Sequence, residues 1–421
     1  MKAYPTVIIG AGQCGLAMSR VLSERSVDHV ILERGEVANS WRTERWDSLR
    51  LLTPNWQSRL PGSAYDGPDP DGYMTMPELI QRFETYAIER AAPIITGAEV
   101  RSVVQTEAGY RIETSRGSFK GTTLVLANGA CAIPSIPAFA EELPRGVHAI
   151  TPRDYKRPSD LPEGGVLVVG GSATGVQLAM ELQASGRQVT LSLGEHIRMP
   201  RTYRGRDIKW WMDEMGIFDQ RHDEVDDVKR VRRTPSLQLI GSPERRTLDL
   251  NGLMEAGVEV VGRFSGLRDG RAMFSGSLAN QCTLADLKMN RFLDQIDLWA
   301  AEAGLDGLSP AHRFEPTRVP ASPRLEMDLT GGSLTSVLWA TGYRPDYAWL
   351  QVPVLDRKGH LRHDGGIVDA PGLFAMGLPF MKRRKSTLID GAGADARDLA
   401  NHVIAHLDRA TGKTSLTRHA A

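Results

Sequence analysis

Cysteine is scarce in this chain. Cys14, Cys131 and Cys282 are the only three in 421 residues, and no two form a close pair. A dithiol relay needs two sulfurs in contact, so this spacing argues against disulfide-reductase chemistry. An odd, sparse set gives no disulfide framework either, and all three read as small buried apolar residues. An excess of either charge is also missing, because 51 basic and 51 acidic side chains cancel. A nucleic-acid partner usually leaves a basic imbalance, so none is expected. The run Lys382-Arg383-Arg384-Lys385 remains a local anion candidate. No apolar stretch approaches the roughly 18–20 residues that span a bilayer. No leader is expected before a first strand that begins by Thr6, so the chain reads as cytoplasmic. His360 and His363 share a Gly-rich turn, but no further ligand cluster joins them, and no metal is expected.

What the chain does have is two glycine-rich loops. Gly10-Ala11-Gly12-Gln13-Cys14-Gly15 follows the apolar run Thr6–Ile9. Gly170-Gly171-Ser172-Ala173-Thr174-Gly175 follows Val166–Val169. Each stands between a strand pattern and a helical one, the setting in which such a loop cradles a pyrophosphate. In the first, Gly10 permits the turn, Gly12 lets the backbone approach the phosphates, and Gly15 lets helix and strand pack closely. The next strand, His29–Leu32, ends at Glu33, an acid placed to take ribose hydroxyls, with Arg34 beside it. The second loop departs from the pattern, since Ser172 replaces the middle glycine. Aligning the two units puts Ser192 where Glu33 stands in the first. No carboxylate there repels a 2′-phosphate, and His196, Arg198, Arg201 and Arg204 follow, so NADPH is expected over NADH. The second loop also nearly fits a G-x-S-x-G elbow, but Thr174 breaks it and no His/Asp partners stand in order, so a hydrolase is rejected.

Two nucleotide loops, the first at the N-terminus, predict an α/β protein with two Rossmann-like dinucleotide-binding domains, the second inserted into the first. FAD would occupy the first and NADPH the second. The expected division is 1–155 for the first part of the FAD domain and 156–325 for the NADPH domain. Residues 326–421 would complete the FAD domain. A helical insertion is expected over about 205–290, with Trp210, Trp211, Met212, Met215 and Phe218 as a core stripe or an apolar pocket wall. Helices are expected at Met76–Ile88 and from about Ala394 to Leu407. Late strands are expected at Arg324–Leu329, Ser336–Ala340 and around Leu373–Met376.

These residues resemble the flavin-containing monooxygenases with two dinucleotide domains, in particular bacterial single-component flavoproteins and the plant indole-pyruvate monooxygenases. The resemblance spans essentially the whole chain. It rests on Gly10–Gly15 with Glu33, Ser40-Trp41-Arg42, Thr53-Pro54-Asn55-Trp56, Ala127-Asn128-Gly129, the second loop, Ala340-Thr341-Gly342-Tyr343 and Arg384–Gly391. Two features depart from it. The family's F-x-G-x-x-x-H fingerprint is incomplete at Leu143–Ile150, where His148 survives and the Phe does not, and the second loop carries Ser172.

The resemblance implies a cycle in which NADPH reduces FAD. A C4a-(hydro)peroxyflavin then delivers one oxygen atom of O2 to a small, apolar or aromatic substrate. It implies Asn55 as the catalytic amide beside the flavin. Trp41 and Arg42 would pack near the cofactor, with Trp46 and Asp47 in the same region. The turns at Gly129, Thr341, Gly342 and Gly377, and the helix start at Leu388, would complete the cofactor contacts of Gln13, Cys14, Ala173 and Thr174. Two alternatives stay open: an NADPH-dependent reductase or dehydrogenase without a stable oxygen adduct, and a non-enzymatic redox-sensing flavoprotein. Partners are then a small molecule and O2, with no nucleic acid and no membrane. Oligomeric state is open, a homodimer being one option.

Overall fold

The computed structural model describes residues 1–305 and 307–412. Its architecture is two parallel-stranded sheets, each entered by one of the glycine loops. In the first sheet the parallel run is Leu373–Ala375, Gly117–Leu126, Lys2–Ile9, His29–Leu32 and Ile94–Ile95. Val7 lies opposite Leu124 on one side and Val30 on the other. Val7, Ile8, Val30, Leu124 and Val125 are almost fully buried, which is why these strands read as continuous apolar runs. The meander Val100–Thr106, Gly109–Thr114 and Gly117–Leu126 extends this sheet antiparallel.

The second sheet is entirely parallel, in the order Glu259–Val261, Val189–Ser192, Gly165–Val169, Leu334–Trp339 and His148–Ile150. It therefore draws strands from both sides of the 156–325 segment. The reason is packing. Trp339 stacks on Phe264 at 5.6 Å, and Phe139 meets both rings, so the flanking segments close one aromatic core. The chain enters the first sheet, leaves for the second, and returns to the first, giving two Rossmann-type units with one inserted in the other.

The closing helix runs Ile389–Ala410 and so begins before Ala394, where the pattern placed it. Its first turns hold Gly391 and Gly393, poor helix formers. Tertiary contact overrides that preference: a Cβ on Gly391 would lie 1.9 Å from the Lys385 carbonyl oxygen, and one on Gly393 3.2 Å from Pro61. The inserted segment carries the short helix Ile208–Glu214, capped by Asp207, and the long helix Leu278–Glu302. Trp211 is fully buried among Met199, Tyr203, Ile208, Leu239 and Leu293, and its indole N–H donates to the Tyr203 carbonyl at 2.9 Å. Trp211 is thus core, with Trp210 and Met215 packed against the same cluster.

Candidate nucleotide clefts

The first loop is held by two close approaches. Gly10 has φ +106°, and a Cβ there would sit 2.5 Å from the Ala127 carbonyl oxygen. A Cβ on Gly15 would meet the Gly10 carbonyl oxygen at 1.8 Å, so the helix Gln13–Glu24 can start here only on glycine. Gly12 differs from both. Its backbone is ordinary extended chain, and a Cβ would meet nothing within 4 Å. That open space above the first amides of a helix is the cradle a pyrophosphate requires.

Glu33 closes the loop. Its carboxylate accepts from the Ala11 amide at 2.8 Å and the Gly35 amide at 3.0 Å, and each oxygen keeps acceptor capacity for a hydroxyl. The cavity here measures about 320 Å³. Gly10, Gly12, Gln13, Cys14, Glu33 and Arg34 line it. Trp41, Gly129 and Gly377 line it too, with Asp346 and Trp349, which the sequence did not single out. Burial, reinforced by the charge of Asp395, pushes the Cys14 thiol up to about 12. The thiol stays protonated and acts as an apolar wall.

The second loop repeats this construction. Gly170 has φ +118° and would meet the Ala340 carbonyl oxygen at 2.3 Å, and a Cβ on Gly175 would meet the Gly170 carbonyl oxygen at 1.7 Å. Ser172 has the backbone of Gly12, φ −84° and ψ −174° against −85° and −171°. Its side chain occupies the position left open in the first loop. Ser172, Thr174, Ser192, Thr341, Gly342 and Leu388 all line a cleft of about 1630 Å³, whereas Ala173 is buried as the first residue of its helix. The Ser192 hydroxyl donates to the Gly262 carbonyl at 2.9 Å and accepts from the Phe264 amide at 2.8 Å, tying its strand to the neighbouring one.

Three expected contacts are corrected by the structure. Arg198 is withdrawn from the cleft: it pairs with Asp249 at 2.6 Å and Asp286 at 2.8 Å, and is almost completely buried. Arg201 is fully buried, bidentate on Asp207, bonded to the Leu52 carbonyl at 2.9 Å and stacked on Tyr73. A buried guanidinium needs all of that compensation, so neither is available to a phosphate. Arg42 turns away to an exposed ion pair with Glu84. The cationic side chains that line the cleft are instead Arg45, Arg50, Arg232, Arg233, Arg263 and Arg344. Arg263 lies against Gly194, just past the strand that ends at Ser192. Its signal is its position two residues after the next parallel strand, Glu259–Val261, within the expected insertion of about 205–290.

Asn55 lines neither cavity. It opens a single turn, Asn55–Gln57, and is buried; its Nδ2 donates to the Asp69 carbonyl at 2.9 Å, while its Oδ1 has no partner among the described residues. Trp46 lines the larger cleft, and the Asp47 amide donates to the Lys156 carbonyl at 2.9 Å. The two cavities meet: Trp41, Arg45, Ala130, Cys131 and Thr387 belong to both walls. Among the described residues no group of three or more His, Cys, Asp or Glu side chains is placed to hold a metal ion, and no helix is long and apolar enough to cross a membrane.

Residues 7–215 match the family model described as pyridine nucleotide-disulphide oxidoreductase. The chain is 30% identical over 412 residues to a CzcO-like uncharacterized oxidoreductase of Geobacillus kaustophilus, covering 95% of this chain and 98% of that one. It is 32% identical over 211 residues to the indole-3-pyruvate monooxygenase YUCCA6 of Arabidopsis thaliana, covering 47% and 50% of the two chains. The solved structure of a flavin monooxygenase from Stenotrophomonas maltophilia, a double mutant, superposes with a TM-score of 0.66 at 17% identity, over 96% of this chain and 99% of that one.

Proposed function

This chain belongs to the CzcO-like oxidoreductases, a flavin monooxygenase-like family, and from that premise we propose an FAD-dependent, NADPH-using monooxygenase acting on a small apolar or aromatic substrate. The observation that carries the reading is the junction of the two cavities at Trp41, Arg45, Cys131 and Thr387. A nucleotide in the larger cleft then opens onto whatever the first loop holds. The residues present fit FAD at the first loop: an open cradle over Gly12, amides at the start of Gln13–Glu24, and Glu33 with spare acceptor capacity. When bound, FAD would supply hydride acceptance from NADPH and activation of O2.

The chain's own residues orient and enclose. Ser172 holds the second dinucleotide further from its loop than Gly12 allows in the first. Ser192 offers no charge against a 2′-phosphate. Glu195, on the same wall, is paired with Lys288 at 2.9 Å. Arg263, beside Gly194, supplies the phosphate contact that Arg198 and Arg201 do not. Asn55 Nδ2 spends one N–H on the Asp69 carbonyl and keeps the other, while Oδ1 has no partner among the described residues.

The test is NADPH oxidation under isotopically labelled O2 with a panel of apolar sulfides, amines and ketones. A product carrying one labelled oxygen is the expected result. Flavin reduction by NADPH with all O2 returned as hydrogen peroxide across the panel would select the reductase reading. No reduction of the flavin by NADPH would select the sensor. In the coupled enzyme, Asn55→Ala should raise hydrogen peroxide released per NADPH; unchanged coupling would reduce Asn55 to a turn former.

A further inference from the structure

The long helix Leu278–Glu302 carries two stripes on opposite sides. Cys282, Ala285, Met289, Leu293, Ile296 and Ala300 face inward and are buried. The outward side has a spacing of its own. Leu284, Leu287, Arg291, Asp294, Leu298 and Ala301 follow one another in alternating steps of three and four, and all are exposed. Leu284 is 41% exposed, Leu287 43% and Leu298 66%. Three of the eight large apolar side chains left exposed among the described residues therefore lie on this one line. Such a step pattern is the seam along which two helices pack. The fold of the chain does not use it, because the inward stripe already anchors the helix.

The seam specifies its partner. Set antiparallel against a second copy, with a two-fold axis between Phe292 and Leu293, Leu287 meets Leu298, Leu284 meets Ala301 and Arg291 meets Asp294, each twice by symmetry. Beside the seam Lys288 meets Gln295, so no like charges face each other. Sliding one copy by a heptad in either direction sets Asp294 against a leucine, Leu284 or Leu298. Parallel pairing sets Arg291 against Arg291 and Asp294 against Asp294. The first arrangement alone matches apolar to apolar and charge to opposite charge. The ions are available for it. Lys288 is paired with Glu195 at 2.9 Å, and Asp297 with Tyr203 and Arg204, whereas Arg291 has no partner among the described residues. Asp294 holds Arg313 through Oδ1, and its Oδ2 has no partner among the described residues.

We propose that the outward face of this helix is a self-association surface that pairs two copies of the chain antiparallel, with Arg291 of each copy on Asp294 of the other. The inference does not depend on the cofactor readings above. The seam from Leu284 to Ala301 runs about 26 Å along the helix. That is a contact at the small end of stable interfaces, so the dimer should dissociate on dilution. No residue of the helix lines either cavity, and pairing through it leaves both clefts uncovered.

The experiment is sedimentation velocity of the full chain over a range of concentrations. Wild type should pass from monomer to dimer as concentration rises. Leu298→Glu and Arg291→Asp should each weaken association by about tenfold or more, the first by setting a charge against Leu287, the second by facing two carboxylates. Both positions are exposed, and an unchanged denaturant midpoint checks that each variant folds. The sharpest arm mixes two charge variants. Arg291→Asp and Asp294→Arg should each be monomeric where wild type pairs, and should form a heterodimer when mixed, since each supplies the charge that the other has lost. A wild type that stays monomeric at every concentration overturns the proposal and leaves the seam to a different protein. A dimer that persists in Leu298→Glu and Arg291→Asp overturns it by placing association on another face. A mixture of the charge variants that remains monomeric overturns the pairing of Arg291 with Asp294.

Discussion

The two glycine loops follow the same backbone path and differ at their middle position, Gly12 in the first and Ser172 in the second. In each, the outer glycines are forced by backbone, with a Cβ meeting a carbonyl oxygen at 1.8 Å in the first loop and 1.7 Å in the second. The middle position is forced by nothing in the protein. Gly12 and Ser172 have matching dihedrals that any residue adopts. Nothing in the fold requires the glycine at position 12; under the proposed function it leaves room for FAD, and Ser172 would keep its own dinucleotide at greater distance. The ends of the second strands differ likewise: Glu33 turns its carboxylate to loop amides, whereas Ser192 spends its hydroxyl on the neighbouring strand.

The largest expected effect breaks the first loop alone. Gly12→Val should fold, since a Cβ there meets no protein atom within 4 Å, yet purify colourless because the valine fills the cradle. Yellow protein at full occupancy would remove FAD from this loop. Next comes a residue that the structure moves out of the second site. Arg198→Ala strands Asp249 and Asp286 and should cost about 3–5 kcal/mol of stability, read by denaturant unfolding. An unchanged midpoint with a raised KM for NADPH would return Arg198 to the cleft. Arg263→Ala should do the reverse. It should leave the midpoint nearly unchanged and raise KM for NADPH roughly ten- to hundredfold, the worth of a charge-assisted contact of about 1.5–3 kcal/mol. An equal effect on NADH would place Arg263 on the shared pyrophosphate and not the 2′-phosphate. The smallest effect sharpens the comparison: Ser172→Gly should tighten NADPH by under about tenfold and leave FAD content untouched. A loss of NADPH affinity would mean that the serine hydroxyl binds the nucleotide directly.

Local chemistry explains which parts were legible. A glycine loop, its strand and its helix are contiguous, so Gly10–Gly15 and Gly170–Gly175 carry their geometry in neighbouring residues. Glu33 lies one strand further on, at a distance that the βαβ unit dictates. The arginines show where adjacency misleads. Arg198 and Arg201 follow Ser192 closely in the chain, but Arg198 is drawn to Asp249 and Asp286 from distant segments, and Arg201 to the nearby Asp207 together with the distant Leu52 carbonyl. Arg263 lay hidden for the opposite reason, being remote in sequence from Ser192 and brought near it by the pairing of Val189–Ser192 with Glu259–Val261. Asn55 was visible as a turn residue, whereas the direction of its amide depends on the Asp69 carbonyl folded against it.

By itself the sequence determined the two Rossmann-type units, the insertion of one in the other and the family, because apolar runs, glycine spacing and strand-end residues act over a few positions. Only the tertiary structure decided which cations are free to meet a ligand, that the two cavities share a wall, and that Gln57 is buried with no partner among the described residues. Burial and hydrogen-bond satisfaction are properties of what packs around a group, and for each of these residues that surrounding comes from elsewhere in the chain.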